Sequence, residues 1–131
     1  MVDSMSKILV VEDDQTLLEQ LLELMAFEGY QGVGAEDGAQ ALERVQESPP
    51  DLVLCDVGLP TLDGFSVIRQ LRADPSTAET PIIVLTARQD LDTARRMRDL
   101  AVRAYITKPF ALDVLLDAIH NALADAPSST A

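Results

Sequence analysis

Four short, largely apolar runs in this chain each stop on a polar residue. Ile8 to Val11 is followed by Glu12-Asp13-Asp14, Leu52 to Cys55 by Asp56, Ile82 to Leu85 by Thr86, and Tyr105 to Thr107 by Lys108. Runs of this length, rich in Val and Ile and separated by helix-length amphipathic segments, predict strands of a parallel sheet buried on both faces. The carboxyl ends of parallel strands share one edge, where open α/β folds place their ligands. The pattern therefore brings carboxylates, a hydroxyl and an ammonium toward one cleft.

Strand and helix signals alternate along the whole chain, a β/α unit repeated five times. The spacing predicts a first helix over Gln15 to Phe27, capped by Asp14 or Asp13, burying Leu17, Leu18, Leu21, Leu22 and Met25 and stopped by Gly29. A short strand over Gln31 to Gly34 follows. Asp37 caps a second helix that packs Ala41, Leu42 and Val45 and ends at Ser48-Pro49-Pro50. The third helix carries Phe65, Val67, Ile68 and Leu71 and closes at Asp74-Pro75, after which Pro81 opens the next strand. The fourth, over Leu91 to Leu100, is expected to bury Leu91, Ala94, Met97 and Leu100 with its arginines outside. The fifth packs Leu112, Leu115, Ala118, Ile119 and Ala122. Residues 7–125 read as one domain, 1–6 as an extension, and 126–131 as a linker or frayed tail. No internal repeat is visible.

Composition narrows the chemistry. With 131 residues, 47% hydrophobic and 24% charged, the chain is long enough to bury a core without disulfides or structural metals. The apolar runs are far shorter than the roughly 20 residues that span a bilayer, and the amino terminus lacks a secretory pattern, so a cytoplasmic location is expected. Cys55, the only cysteine, reads as a small buried strand residue. His120, the only histidine, falls beside the buried stripe of the last helix and receives no role. The net charge of −12 argues against direct nucleic-acid binding. Residues 88 to 108 depart from it, with six bases against three acids. Arg88, Arg95, Arg96, Arg98 and Arg103 form a local basic patch, read first as a solvated helix face and second as a docking surface for an acidic partner.

The acidic run at Glu12 is unremarkable alone, because carboxylates are favoured beside a helix amino terminus. Asp56, at the end of an adjacent strand, changes that. Two like charges about 4 Å apart repel by roughly 4 kcal/mol at an effective dielectric near 20. Lys108 supplies one countercharge, and a hard divalent cation supplies the rest. Mg²⁺ suits a few carboxylates and retained waters, with Mn²⁺ compatible in its place, and no His or second Cys is placed for a softer metal. An Asp beside Mg²⁺ and Lys can attack phosphorus to give an aspartyl phosphate. Phosphoryl transfer asks mainly for position and positive charge. Thr86 offers a hydroxyl to a phosphoryl oxygen, and Ala87 leaves room for the group.

With these residues in place, the chain resembles the receiver domain of two-component response regulators, in the chemotaxis-regulator-like superfamily, over nearly its whole length. The resemblance is carried by Ile8 to Asp14 (ILVVEDD), Asp37-Gly38 before Ala41-Leu42, Asp51 to Pro60 (DLVLCDVGLP), Asp63-Gly64, Pro81 to Ala87 (PIIVLTA) and Tyr105 to Phe110 (YITKPF). It implies a flavodoxin-like, doubly wound (βα)5 three-layer sandwich whose parallel sheet runs in the order 2-1-3-4-5. It further implies that Asp56 is the phosphoacceptor and that Glu12, Asp13, Asp56 and the backbone carbonyl of Gly58 hold Mg²⁺. Lys108 matches the family's lysine, Thr86 its switch hydroxyl and Tyr105 its switch aromatic. A cis bond between Lys108 and Pro109 is implied too. The switch so implied has phosphorylated Asp56 drawing in Thr86, Tyr105 turning into the vacated space, and the surface of helix four, strand five and helix five changing.

The chain also departs from the family. Ala101-Val102-Arg103-Ala104 stands where Gly-Ala-Asp-Asp is usual, and a glycine there permits a left-handed helix end. Arg103 reverses an acid used in family dimers, and helix five has no Lys or Arg, which argues against that dimer mode. Gly58 and Arg88 occupy positions that tune phosphoryl lifetime in the family.

The expected function is a phosphorylation-activated signalling switch. It takes phosphate from a sensor histidine kinase or phosphotransfer protein and regulates a downstream protein or attached output domain, with no membrane or nucleic-acid contact of its own. It is not expected to be an enzyme beyond self-catalysed phosphotransfer and autodephosphorylation. A phosphatase of the haloacid dehalogenase type would need a second Asp where Gly58 stands, and an adaptor independent of phosphorylation would be expected to have lost the acceptor site. The chain is expected to be either a stand-alone shuttle or the amino-terminal piece of a longer regulator.

Overall fold

The computed structural model describes residues 5–57, 64–87 and 90–124. Five strands alternate with five helices: β1 Lys7–Val11, α1 Gln15–Phe27, β2 Gln31–Ala35, α2 Gly38–Glu47, β3 Leu52–Asp56, α3 Gly64–Ala73, β4 Ile82–Thr86, α4 Leu91–Asp99, β5 Ala104–Thr107 and α5 Leu112–Ala124. All pairings are parallel, in the order β2-β1-β3-β4-β5. This is the doubly wound arrangement that the alternation and the resemblance imply.

Side chains of a strand alternate between the two sheet faces, and both faces here are covered. Leu9, Val11, Val53, Cys55, Ile82 and Val84 pack with Ala41 and Val45 of α2, Phe65, Val67, Ile68 and Leu71 of α3, and Met97 of α4. Ile8, Val10, Leu52, Leu54, Ile83, Leu85 and Ile106 pack with Leu18, Leu21 and Met25 of α1 and with Leu115, Ile119 and Ala122 of α5. The result is three layers with the sheet in the middle.

Local chemistry accounts for most boundaries. Asp14 caps α1, its side chain accepting from the Leu17 N–H, and Asp37 caps α2 by accepting from Gln40. Gly29 takes φ +90°, and the N–H groups of Gly29 and Tyr30 donate to the carbonyls of Ala26 and Met25, closing α1 as a left-handed terminator does. Gly64 has a different reason: a Cβ there would lie 2.5 Å from the Asp56 carbonyl oxygen and the Val57 Cα. Only glycine lets α3 start this close to the end of β3.

Several expectations are corrected. Leu91 is 78% exposed, and Thr93 is buried in its stead, because Asp90 caps α4 by accepting from both the N–H and the hydroxyl of Thr93 and turns that side chain inward. Leu112 is 56% exposed, bordering a surface groove with Leu17, Leu24, Phe27 and Phe110. Leu17, Leu22, Leu42, Leu100 and Ala118 pack against the core but are only partly buried. β2 runs on to Ala35 and β5 begins at Ala104. No helix among the described residues is long and apolar enough to cross a membrane. The expected tail at 126–131 lies outside the described residues.

Candidate functional site

The parallel register fixes which strand ends meet. Val11 pairs with Cys55, Asp56 with Leu85, and Thr86 with Thr107, so Glu12, Asp56, Thr86 and Lys108 emerge along one edge. The Glu12 N–H donates to the Ala35 carbonyl at 3.0 Å, extending β1 by one residue, and the Lys108 N–H donates to the Thr86 carbonyl at 2.9 Å. The Lys108–Pro109 bond is cis.

At the centre is the Lys108 ammonium. Nζ donates to Glu12 Oε1 at 2.8 Å and to Asp56 Oδ2 at 3.1 Å. Glu12 Oε2 also accepts from the Asp14 N–H at 3.1 Å. Glu12 is 1% exposed, whereas Asp13 faces solvent and the Asp56 side chain keeps 12% of its surface accessible. The pocket is thus lined by a buried pair and open toward Asp13. One carboxylate oxygen from each of Glu12, Asp13 and Asp56 lies within 4.8 Å of the others, a group that could hold a metal ion. Its all-oxygen donors suit a hard divalent cation, and one ammonium leaves two of three negative charges unbalanced.

Burial raises the Glu12 pKa against the lowering effect of Lys108 and of the Asp14 N–H, and the nearby Asp56 charge adds to the rise. Burial pulls Lys108 the other way, but its hydrogen bonds and charge attraction to Glu12 and Asp56 outweigh it, and the Lys108 pKa is raised. Lys108 therefore remains an ammonium at neutral pH. Thr86 is buried at the end of β4, and Ala87 beside it is exposed. Tyr105 is 50% exposed, its ring outward on β5. Asp14 serves as a cap, and His120 is on the surface away from the site. Cys55 is buried, its Sγ 3.4 Å from the Asp56 carbonyl oxygen. Of the arginine patch, Arg95, Arg96, Arg98 and Arg103 are exposed. Gly58 and Arg88 lie outside the described residues.

Residues 8–120 match the response regulator receiver domain family. The chain belongs to that family. As a receiver domain it is 41% identical over 117 residues to the response regulator MprA of Mycobacterium leprae, covering 89% of this chain and 50% of that protein. It is 42% identical over 110 residues to MprA of Mycobacterium sp. strain KMS, covering 84% of this chain and 47% of the relative. The chain thus spans about half the length of these relatives. Among solved structures, Vibrio cholerae chemotaxis protein CheY4 superposes with a TM-score of 0.86 at 25% identity, covering 91% of this chain and 99% of that one. A putative response regulator from Chloroflexus aurantiacus also gives 0.86, at 32% identity, covering 92% and 99%.

Proposed function

We propose that this receiver domain is a phosphorylation-activated switch in which Asp56 accepts a phosphoryl group from a sensor histidine kinase or phosphotransfer protein. The observation that carries the reading is Lys108 Nζ bridging Glu12 and Asp56, residues 96 and 52 positions away in sequence. Such a bridge assembles the positive charge phosphoryl transfer needs beside a carboxylate that keeps an opening to solvent.

In this reading an Asp56 carboxylate oxygen attacks phosphorus, forming the acyl phosphate bond. The bond to the leaving group, a kinase imidazole or acetate from acetyl phosphate, breaks with its electron pair. Glu12, Asp13 and Asp56, with the Gly58 carbonyl by family resemblance, would hold Mg²⁺ or Mn²⁺, which when bound offsets charge on the phosphoryl oxygens. Lys108 holds Asp56 in place beforehand and then pairs with the phosphoryl group. The Thr86 hydroxyl donates to a phosphoryl oxygen, Tyr105 turns inward from its exposed position, and the surface of α4, β5 and α5 changes. Moving such an equilibrium from 1:99 to 99:1 takes roughly 5.5 kcal/mol of preferential contacts. The receiver then regulates a cytoplasmic partner or an attached output domain, and its only chemistry is self-directed.

Incubation with acetyl phosphate and Mg²⁺ tests this. Wild type should gain the mass of one phosphoryl group and Asp56→Asn none, while Thr86→Ala gains it without the change at Tyr105. Millimolar Mg²⁺ should raise the melting temperature of wild type and not of Asp13→Asn with Asp56→Asn. No mass gain in wild type would favour an adaptor independent of phosphorylation; sustained turnover of external phosphomonoesters would favour an Asp-nucleophile phosphatase.

A further inference from the structure

Arg72, in the last turn of α3, sends its guanidinium to five backbone carbonyls. Nε donates to Leu100 at 3.0 Å and Nη2 to Ala101 at 3.2 Å, while Nη1 reaches Thr80 at 2.7 Å, Ala78 at 3.2 Å and Thr77 at 3.5 Å. Two acceptors belong to the carboxyl end of α4 and three to the loop before β4. Arginine suits the position because its planar fork offers five N–H donors.

The same end of α4 is tied in other ways. The N–H groups of Ala101 and Val102 donate to Arg98 and Met97, and that of Arg103 donates to the Ile82 carbonyl at 2.8 Å. Leu100 and Val102 pack against the core. Ala101 is held at φ 55°, where a non-glycine residue is strained and persists only if its surroundings impose it. At the other end Leu91 projects into solvent, and the burial of α4 is confined to Thr93 and Met97.

We infer that Arg72 is a positioning residue that anchors the carboxyl end of α4, so that this helix responds to phosphorylation as a lever hinged at residues 100–103, with its amino end the moving end. The lever rests on the switch proposed above; the anchor does not. Phosphorylation at the strand ends would act on the half of α4 nearest Asp90, while the fork of Arg72 holds Leu100 and Ala101 to the loop before β4.

Site-resolved amide hydrogen exchange tests both parts in the full chain. In unphosphorylated protein, the amides of residues 100–103 should exchange more slowly than those of 94–96, and Arg72→Gln should speed the former about tenfold while leaving the amides of Leu9 and Val53 unchanged. With acetyl phosphate and Mg²⁺, wild-type exchange should change about fivefold or more at 94–96 and less than about twofold at 100–103; in Arg72→Gln both ends should change. Should Arg72→Gln fail to fold, Ala101→Gly keeps Arg72 and relieves the backbone, and should slow exchange at 101–103 about threefold. Equal exchange at the two ends of unmodified α4, unchanged 100–103 in Arg72→Gln, or faster 101–103 in Ala101→Gly would each overturn the anchor. Equal changes at both ends on phosphorylation would overturn the lever. Absence of a mass gain at Asp56 would remove the switch, and with it the lever, while the unmodified protein still decides the anchor.

Discussion

Helices α1 and α4 lie on opposite faces of the same sheet and are held in different ways. α1 has 13 residues and drives Leu18, Leu21 and Met25 into the core, with Leu17, Leu22 and Leu24 packed around them. α4 has 9 residues, buries Thr93 and Met97, and presents Arg95, Arg96 and Arg98 to solvent. Apolar burial stabilises α1 along its length. α4 has a single apolar core residue, Met97, and depends besides on a cap at Asp90, a cation–π contact of Arg96 over Phe65 at 5.1 Å, and the carbonyls gathered by Arg72. Directional polar contacts can be exchanged one at a time, whereas a buried apolar stripe resists stepwise loosening. The contrast supports the lever proposed above, in which α1 is scaffold and α4 the moving part.

The largest expected effect comes from breaking the scaffold. Leu21→Ala should lower unfolding stability by about 3 kcal/mol in urea titration, against less than about 0.5 kcal/mol for Leu91→Ala, and equal losses would refute the contrast. Asp90→Ala removes the cap of α4 and should cost about 1 kcal/mol, with faster exchange confined to α4; a loss spread over α1 would mean the two helices are not independent. Ala101→Gly should stabilise by about 0.5–1 kcal/mol, read from the shift in urea midpoint, since the left-handed conformation no longer opposes a Cβ. The smallest effect is Arg96→Ala, about 0.5 kcal/mol by thermal melting, because its ring contact and its 3.3 Å pair with Asp92 are both partly solvated.

The two helices also differ in how far they could be read from the residues. The α1 stripe is dense enough to fix its own phase, and its start and stop are set by Asp14 and Gly29, whose roles are local. α4 offers only Leu91, Ala94, Met97 and Leu100 to define a stripe, and its first member points the wrong way. Leu91 and Leu112 are each the first residue of a helix. A side chain there leans back toward the helix amino terminus, with no preceding turn of its own helix beneath it, so helical period is a poor guide to its burial. At the pocket, the acid types and strand ends were legible. The unequal parts of Glu12, buried against Lys108, and Asp13, open to solvent, were not. Nor was Arg72, whose partners are backbone carbonyls and leave no mark in a side-chain pattern.

The order of residues alone determined the alternation of strands and helices, an acidic cap for α1 at Asp13 or Asp14, the cap at Asp37, and the delivery of Glu12, Asp56, Thr86 and Lys108 to the ends of successive runs. Those features follow from period, capping and chain reversal, which act within a few residues. Only the tertiary structure decided that Lys108 reaches Glu12 and Asp56 at once, that Thr93 and not Leu91 faces inward, and that Arg72 gathers the end of α4 to the β4 loop. Each of these joins residues remote in sequence, and such contacts exist only once the packed sheet has fixed the distance between the elements that carry them.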